Sequence, residues 1–340
     1  MNNKLNDSFL SNDLSIKKYT DSLSEWNNIV SSSVQNGCHA DVKSIEYFIE
    51  YFGGQNIDYE SISSVVFHNS KAVAVIILEL EVGSKGKFLT SNGSHILQPI
   101  YAEGISKKVE KKINNSLFHF IDTLKNESFK FSFKYEITEN GCSDWYISLI
   151  NNYQFSELEH NLYINLGLSL DLIKLNFRKS YRPLITKGVD LWKTEIIDST
   201  SKQIESKFLE FKNFHIFISG KKTRSDKSWD IQYEMIKNAK AFLVCIYENK
   251  NLLGAGLFQI NERNASYAVG VYDREKFDLP LGHVVQFKAI EYMKEIGIYR
   301  YNLGIRYYES QQESASKKEI SISHFKEGFA NLILPTVVFR

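Results

Sequence analysis

Cysteine, proline and net charge are all scarce in this sequence. Cys38, Cys142 and Cys245 are the only cysteines among 340 residues, and no two form a CxxC pair. That spacing excludes a disulfide framework and a zinc knuckle, and a reducing compartment is the expected home. The eight histidines fall in neither HxxxH nor HExxH spacing, so no metal site is expected. No apolar run approaches the ~18 residues of a membrane span; the longest, residues 72–78, has strand length. Residues 1–18 are polar, with no apolar segment behind a basic start, so no signal peptide is expected. Four prolines and no low-complexity stretch point to an ordered chain. Lys plus Arg is 41 against 40 Asp plus Glu, and a net charge of +1 excludes a polycation that binds DNA through its overall field. The expectation is an ordered, soluble, cytoplasmic protein without a membrane span.

Hydrophobic residues make up 43% of the chain and aromatics 14%, ample for a core. At roughly 100–200 residues per domain the length implies two domains. In the first half, residues 26–33 and 42–52 read as helices, the second stopped by Gly53-Gly54. Residues 64–68 and 71–82 read as a hairpin across Asn69-Ser70. Val73, Val75 and Ile77 alternate with Ala74, Ile76 and Leu78, so both faces of that strand are apolar and helices should cover it on both sides. Residues 104–125 form a helix with Ile105, Val109, Ile113, Leu117, Ile121 and Leu124 on one face. Residues 129–137 read as a strand, 145–151 as a helix and 162–166 as a strand.

The second half repeats that order. Residues 208–217 and 228–238 read as helices, 241–248 and 252–261 as a hairpin across Asn249-Lys250, and 265–271 as a third strand. Residues 282–296 form a helix with Val285, Ala289, Met293 and Ile296 inward, and strands follow at 299–303 and 332–339. The same βββαβ order in both halves suggests two copies of one fold. Between them residues 174–193 carry Lys174, Arg178, Lys179, Arg182, Lys187 and Lys193 against Asp190 alone. A basic helix bridging two domains is expected there. The expected division is residues 1–168, a linker over 169–193, and 194–340.

Three stretches in order, "SLDLIKLNFRKSYRPLITKG", "AFLVCIYENKNLLGAGLF" and "KKEISISHFKEGFANLILP", resemble the FemABX aminoacyl and acyl transferases, FemAB-like members of the GNAT superfamily. The resemblance covers residues 140–335, with an FK-x-GF ending at Phe325, Lys326, Gly328 and Phe329. It implies an α/β (α+β) protein of two tandem GNAT-like lobes, each a mixed, mostly antiparallel sheet flanked by helices. It also implies an acyltransferase. The Q/R-x-x-G-x-G/A phosphate turn of many acetyl-CoA-binding GNAT domains is reduced here to Gly282 before the helix. There is no room between Lys193 and Ala241 for the helical arm of tRNA-using Fem members, which disfavours tRNA and favours acyl-CoA, as acetyl-CoA, for the donor. The acceptor implied is a small-molecule amino sugar, nucleotide-linked, or a peptide of the cell surface. An aminoacyl-tRNA-dependent peptidyl transferase and a non-catalytic binding protein of a glycan pathway are the alternatives.

Acyl transfer to an amine needs a neutral nucleophile, donors for the oxyanion and a proton acceptor. Gly282 and His283 open a helix whose free N–H groups suit a pyrophosphate, against the plainer reading that Pro280 and Gly282 only shape the turn. Asp273 is a candidate base and Tyr272 a candidate acid for the leaving thiolate; a helix cap is the competing role for Asp273. His283, with an ordinary pKa near ~6.5, is a second candidate base. His215, Arg224, Trp229 and Gln232 form a candidate acceptor pocket, with core packing the competing role for Trp229. In the family-like ending, Lys326 is a candidate oxyanion or phosphate partner and Glu319 a substrate contact. Arg306, after a strand end, is a candidate cofactor contact.

Overall fold

A computed structural model describes residues 2–10, 13–33, 37–53, 57–138, 142–311 and 315–340; Gly54, read as part of a helix stop, lies outside them. The chain divides into two compact units, Met1–Leu158 with Pro335–Arg340, and Glu159–Leu334.

The first unit contains α1 (Asn2–Leu10), β1 (Leu14–Lys18), α2 (Leu23–Ser32), α3 (Val42–Gly53), β2 (Asp58–Ser61), β3 (Ser64–His68), β4 (Lys71–Ile76), β5 (Glu79–Gly83), β6 (Gly86–Thr90), β7 (Ile100–Tyr101), α4 (Lys107–Lys125), β8 (Phe129–Lys130), β9 (Phe133–Glu136) and α5 (Asp144–Asn152). Its two four-stranded sheets run β1-β3-β4-β7 and β2-β5-β6-β8. The expected hairpin forms, with Asn69 and Ser70 both at positive φ, 50° and 61°, as a type I′ turn requires. The strand expected over 71–82 breaks at Ile77–Leu78. There the Ser63 hydroxyl takes the Leu78 N–H at 3.0 Å in place of a ladder partner, which frees the chain to change sheets. The two-faced packing of β4 holds from Ala74 onward, while Val73, expected on the side of Val75, lies in the same core as Ala74. Ala74 and Ile76 join the core under α4, while Val75 and Ile77 join a second core with Trp26 and Ile45. The strand expected over 129–137 is likewise two strands in different ladders, since β8 pairs β6 and β9 pairs the last strand of the chain. Helix α4 starts later than expected because the Ser106 hydroxyl caps it by accepting from the Val109 N–H.

Glu79 is fully buried in this unit, accepting from the Asn92 N–H at 2.5 Å and the Ser63 hydroxyl at 3.2 Å. Desolvation raises its pKa to about 7, against smaller opposing effects of those hydrogen bonds. A carboxyl whose folded pKa is raised stabilises the fold fully below its unfolded pKa, 4.5, and that stability is lost as pH rises to about 7. Glu79→Gln is expected to flatten the fall in Tm across this window, by a difference on the order of 3 kcal/mol between pH 4 and pH 8; calorimetry at both pH values checks it.

In the second unit β10 (Phe155–Asn165, entering at Glu159) leads to α6 (Leu170–Asn176), α7 (Tyr181–Leu191), β11 (Lys193–Ile197), α8 (Ile204–Ser219), α9 (Asp226–Lys237), β12 (Ala241–Glu248), β13 (Asn251–Ile260), β14 (Asn264–Tyr272), α10 (Leu281–Glu295), β15 (Arg300–Ile305) and α11 (Lys317–Glu327). The closing strand, β16 (Leu332–Phe339), returns to the first unit at Pro335. The sheet of the second unit runs β11-β12-β13-β14-β15-β10. Asn249 and Lys250 make the expected I′ turn, at φ 50° and 71°.

The division of the chain thus falls after Leu158, not 168, and residues 169–193 do not bridge. They form α6 and α7, whose Ile173, Phe177, Tyr181 and Ile185 are buried in the core of the second unit. That apolar stripe outweighs the charges, which stay on the outer face.

Along β12, Phe242, Val244 and Ile246 point into the core beneath α7 and α10. Leu243, Cys245 and Tyr247 point to the other face, where the Tyr247 hydroxyl donates to Glu210 of α8 at 2.8 Å. The sheet therefore carries α7 and α10 on one side and α8 and α9 on the other, the layering expected of an α/β lobe.

Candidate functional site

The sheet of the second unit opens between β14 and β15. Their parallel ladder covers only Asn264–Ser266 against Arg300–Asn302, and beyond it the two strands no longer pair with each other. On its other side β14 pairs with β13, where the register steps from Leu257↔Val269 to Phe258↔Tyr267 and leaves Ala268 as a bulge. Tyr267 and Tyr272, an odd number of residues apart, would lie on opposite faces of a regular strand. The extra residue of the bulge returns them to one face, and their hydroxyls meet at 2.9 Å.

Glycines make the space for these rings. A Cβ at Gly270 would stand 1.7 Å from the Tyr267 hydroxyl, and one at Gly254 would stand 2.8 Å from the Tyr272 ring. Gly270→Ala is therefore expected to expel Tyr267, costing about 1–3 kcal/mol as an overpacked core does; a lowered urea midpoint together with loss of the Tyr267–Tyr272 contact in a crystal structure checks it.

Behind the pair, the Tyr301 hydroxyl donates to Gln286 Oε1 at 2.6 Å, and both residues are fully buried. Burial pushes the Tyr267 phenol up to about 12 and holds Tyr272 and Tyr301 well above the ordinary tyrosine range. All three are neutral and keep their protons. In front, the Lys326 ammonium of α11 lies 5.2 Å over the Tyr267 ring and 3.5 Å from where a Cβ of Gly304 would be. It has no carboxylate partner among the described residues, and desolvation alone lowers its pKa to about 8. An unpaired ammonium, a proton-bearing phenol pair and an open strand edge are the means to bind a developing oxyanion and protonate a leaving group.

Of the residues expected from sequence, Tyr272 and Lys326 share this cleft. Asp273 does not act as a free base there, because its carboxylate accepts from the Glu275 N–H at 3.0 Å and caps the turn Arg274–Lys276. His283 sits edge-on to Tyr181 at 4.4 Å and Phe325 at 5.0 Å. Desolvation, helped by Arg178, lowers its pKa to about 4, too low for a base working near neutrality. Gly282 makes room for a ring more than for a phosphate: Phe325 lies 3.1 Å, and Tyr272 3.6 Å, from where its Cβ would be. Arg306, expected at a cofactor, is buried and pairs with Glu327 at 3.1 Å and with the Ser323 hydroxyl at 3.3 Å, tying β15 to α11. Glu319 is the far half of a capping box with Ser316, which holds its carboxyl below the usual range.

His215, Arg224, Trp229 and Gln232 do come together. The Arg224 guanidinium lies 4.5 Å over Trp229 and donates to Gln232 Oε1 at 3.1 Å, and His215 meets the indole at 5.2 Å. Trp229 and Gln232 are fully buried, however, beneath α8 and α9 on the face of the sheet opposite α10. This cluster is core, separated by the sheet from the cleft. Burial, with Arg224 adding to it, lowers His215 to about 4.

Tyr267, Gln286 and Tyr301 escaped the sequence reading. Gln286 had a legible signal, an amide among Val285, Ala289 and Ile290 on the inward stripe of α10. Tyr267 had none, because the bulge breaks its alternation. Elsewhere, an open groove of about 820 Å³ lies in the first unit beside Phe88, Phe131, Lys85 and Lys130. No group of three metal-ligating side chains and no helix long and apolar enough to cross a membrane occurs among the described residues.

No family model matches the sequence, and no curated protein matches it. Solved structures do. FemX superposes with a TM-score of 0.63 at 13% identity, over 92% of this chain and 95% of that one. The C-terminal domain of a putative lysylphosphatidylglycerol synthetase from Agrobacterium fabrum gives 0.62 at 12%, over 95% and 92%. L-PGS from Bacillus licheniformis gives 0.56 at 14%, over 88% and 91%. At such identities the likeness is one of architecture, and this chain shares the fold of FemX and of these synthetase structures.

Proposed function

We propose that the chain is an N-acyltransferase working in the cleft between β14 and β15. The amine of an acceptor attacks the carbonyl carbon of an activated acyl ester. Lys326 stabilises the oxyanion, the bond to the leaving sulfur or oxygen breaks, and Tyr272 protonates the leaving atom. The proton shed by the amine passes to cleft solvent and restores Tyr272, so an amide and a free thiol or hydroxyl result. The observation that carries this reading is Lys326, a desolvated ammonium with no carboxylate partner among the described residues, facing an opened strand edge and a half-buried phenol pair.

The donor first considered is acyl-CoA, as acetyl-CoA, and the acceptor an amino group on a cell-surface glycan precursor such as a nucleotide-linked amino sugar. Incubating the protein with acetyl-CoA and a panel of such sugars and following thiol release tests it; no release, with no thermal shift from CoA, overturns the CoA assignment.

One observation favours a second donor. The first turn of α10, where a CoA pyrophosphate would rest, is faced by the rings of Phe325 and Tyr272, and the structures of similar fold include FemX and a lysylphosphatidylglycerol synthetase domain. An aminoacyl ester carried by tRNA fits a cleft without a phosphate turn. Helices α8 and α9, of 16 and 12 residues, reach only about 24 and 18 Å and offer no extended arm for that partner. Transfer of a radiolabelled amino acid from charged tRNA, inhibited by salt, selects this donor.

A further inference from the structure

Helix α8 carries more apolar surface than the sheet beneath it can cover. Its inward line is Phe208, Phe211 and His215, all buried. At about 3.6 residues per turn, Leu209 and Ile216 leave that line on one flank of the helix and Phe217 on the other. Phe217 is 79% exposed, more than any other large apolar side chain among the described residues, and Leu209 is 52% exposed. A helix with apolar residues on every side is normally enclosed by protein, yet this one ends in solvent. Gly220 stops it at φ 69°, donating its N–H to the Ile216 and Phe217 carbonyl oxygens. The chain then runs into Lys221 and Lys222, both exposed. Across residues 212–227 the cations Lys212, Lys221, Lys222, Arg224 and Lys227 stand against Asp226 alone, and the next carboxylates along the chain are Glu210 and Asp230. Lys212 and Lys222 share Asp226 at 3.0 and 2.6 Å, and Arg224 donates to Gln232, which leaves a positive excess at the surface around Lys221.

Shape and charge together name the occupant. A flat protein face would cover one flank of the helix end and leave the other wet, whereas fluid hydrocarbon closes around both. Exposed lysines at the root of an apolar end meet phosphate headgroups when that end enters the acyl region. We propose that the C-terminal turn of α8 docks the protein on an anionic lipid surface, with Ile216 and Phe217 entering the acyl layer and Lys221 and Lys222 held at headgroup phosphates. The attachment is peripheral and reversible, as a single apolar turn with a small basic cluster provides. The surface lies on the α8–α9 side of the sheet, and its occupant is independent of what the cleft catalyses.

Sedimentation of the full chain with vesicles of phosphatidylcholine alone, and of phosphatidylcholine with about one third phosphatidylglycerol, reads the docking without any substrate. Binding to the anionic vesicles is expected, with little to the neutral ones, and it should weaken as salt rises. K221Q/K222Q is expected to lower affinity for the anionic vesicles about 30-fold, and F217S about 10-fold. A second readout needs no comparison of affinities. The native tryptophans, Trp26, Trp145, Trp192 and Trp229, are all buried, so in F217W the new indole alone should be quenched by brominated acyl chains, with the parent protein as the blank. No binding to the anionic vesicles overturns the inference, as does equal binding by F217S and the parent. Binding that leaves the F217W indole unquenched shows attraction by charge without insertion and overturns it too. A dimer in the ultracentrifuge that F217S abolishes gives this face to a second copy of the chain and likewise overturns the lipid assignment.

Discussion

Lys326→Ala is expected to lower kcat/KM about 10²–10³-fold, the loss that follows removal of one oxyanion donor, while making the protein more stable at pH 7. The two effects have one cause. The Lys326 ammonium is desolvated, it meets the face of Tyr267 and no carboxylate among the described residues, and its pKa is about 8. For a lysine whose folded pKa is lowered, the burial penalty is present in full below the folded value. It fades only as pH rises from about 8 toward the unfolded value of 10.5. At pH 7 the fold therefore carries a destabilising charge on the order of 1–3 kcal/mol. Lys326→Met, which fills the same space without the charge, should raise Tm at pH 7 and gain nothing at pH 11, where the parent lysine is neutral in both states. Activity should fall as pH rises through about 8, as the ammonium is lost. Lys326→Arg keeps the charge to higher pH and should move that falling limb up while lowering kcat through its different geometry. A Lys326→Ala protein that keeps full activity, or that loses stability at pH 7, would show that the ammonium only packs on Tyr267.

The same cleft shows which parts of the site a sequence can carry. The turn pairs Asn69-Ser70 and Asn249-Lys250 were legible because two-residue loops demand positive φ at both positions, and both pairs adopt it. The two-faced β4 was legible because unbroken apolar alternation has no other use in a sheet. Asp273 and Glu319 read as chemistry because acidic side chains beside a family-like motif suggest it, whereas each has an oxygen that accepts a local backbone N–H. The Ser316–Glu319 spacing was in fact a readable capping box. Lysines and arginines hid the core stripe of α6 and α7, since charge was counted over 174–193 before the period of Ile173, Phe177, Tyr181 and Ile185 was followed. The Ala268 bulge lay beyond any local pattern. It depends on how β13 pairs, and it decides that Tyr267 and Tyr272 meet. The fold was written in local periodicity, while the site was written in register.

Trp229→Ala gives the sharpest separation between the two roles open to the α8–α9 cluster. As an acceptor pocket, the cluster would lose substrate affinity on truncation and keep its stability. The indole is instead fully buried and surrounded, with Phe208 at 6.1 Å, Phe211 at 5.8 Å and His215 at 5.2 Å between ring centres, and the Arg224 guanidinium at 4.5 Å on its face. Removing it deletes a large apolar volume and takes the ring from under a guanidinium that also donates to Gln232. A cost of about 3–5 kcal/mol is expected for such a truncation, equivalent to a fall in Tm of roughly 10–15 °C for a unit of this size. Trp229→Phe retains most of the packing and should lose under half as much. Arg224→Leu tests the polar side of the cluster. It leaves Gln232 Oε1 buried without its donor, at a cost of about 1–3 kcal/mol, and frees His215 from the nearby positive charge that adds to its low pKa. Calorimetry of the three variants, with acceptor KM measured on whichever remain folded, decides the matter. A large loss of Tm in Trp229→Ala, with an unchanged KM in Trp229→Phe, places the cluster in the core, whereas an intact Tm with a raised KM in Trp229→Ala would return it to the acceptor.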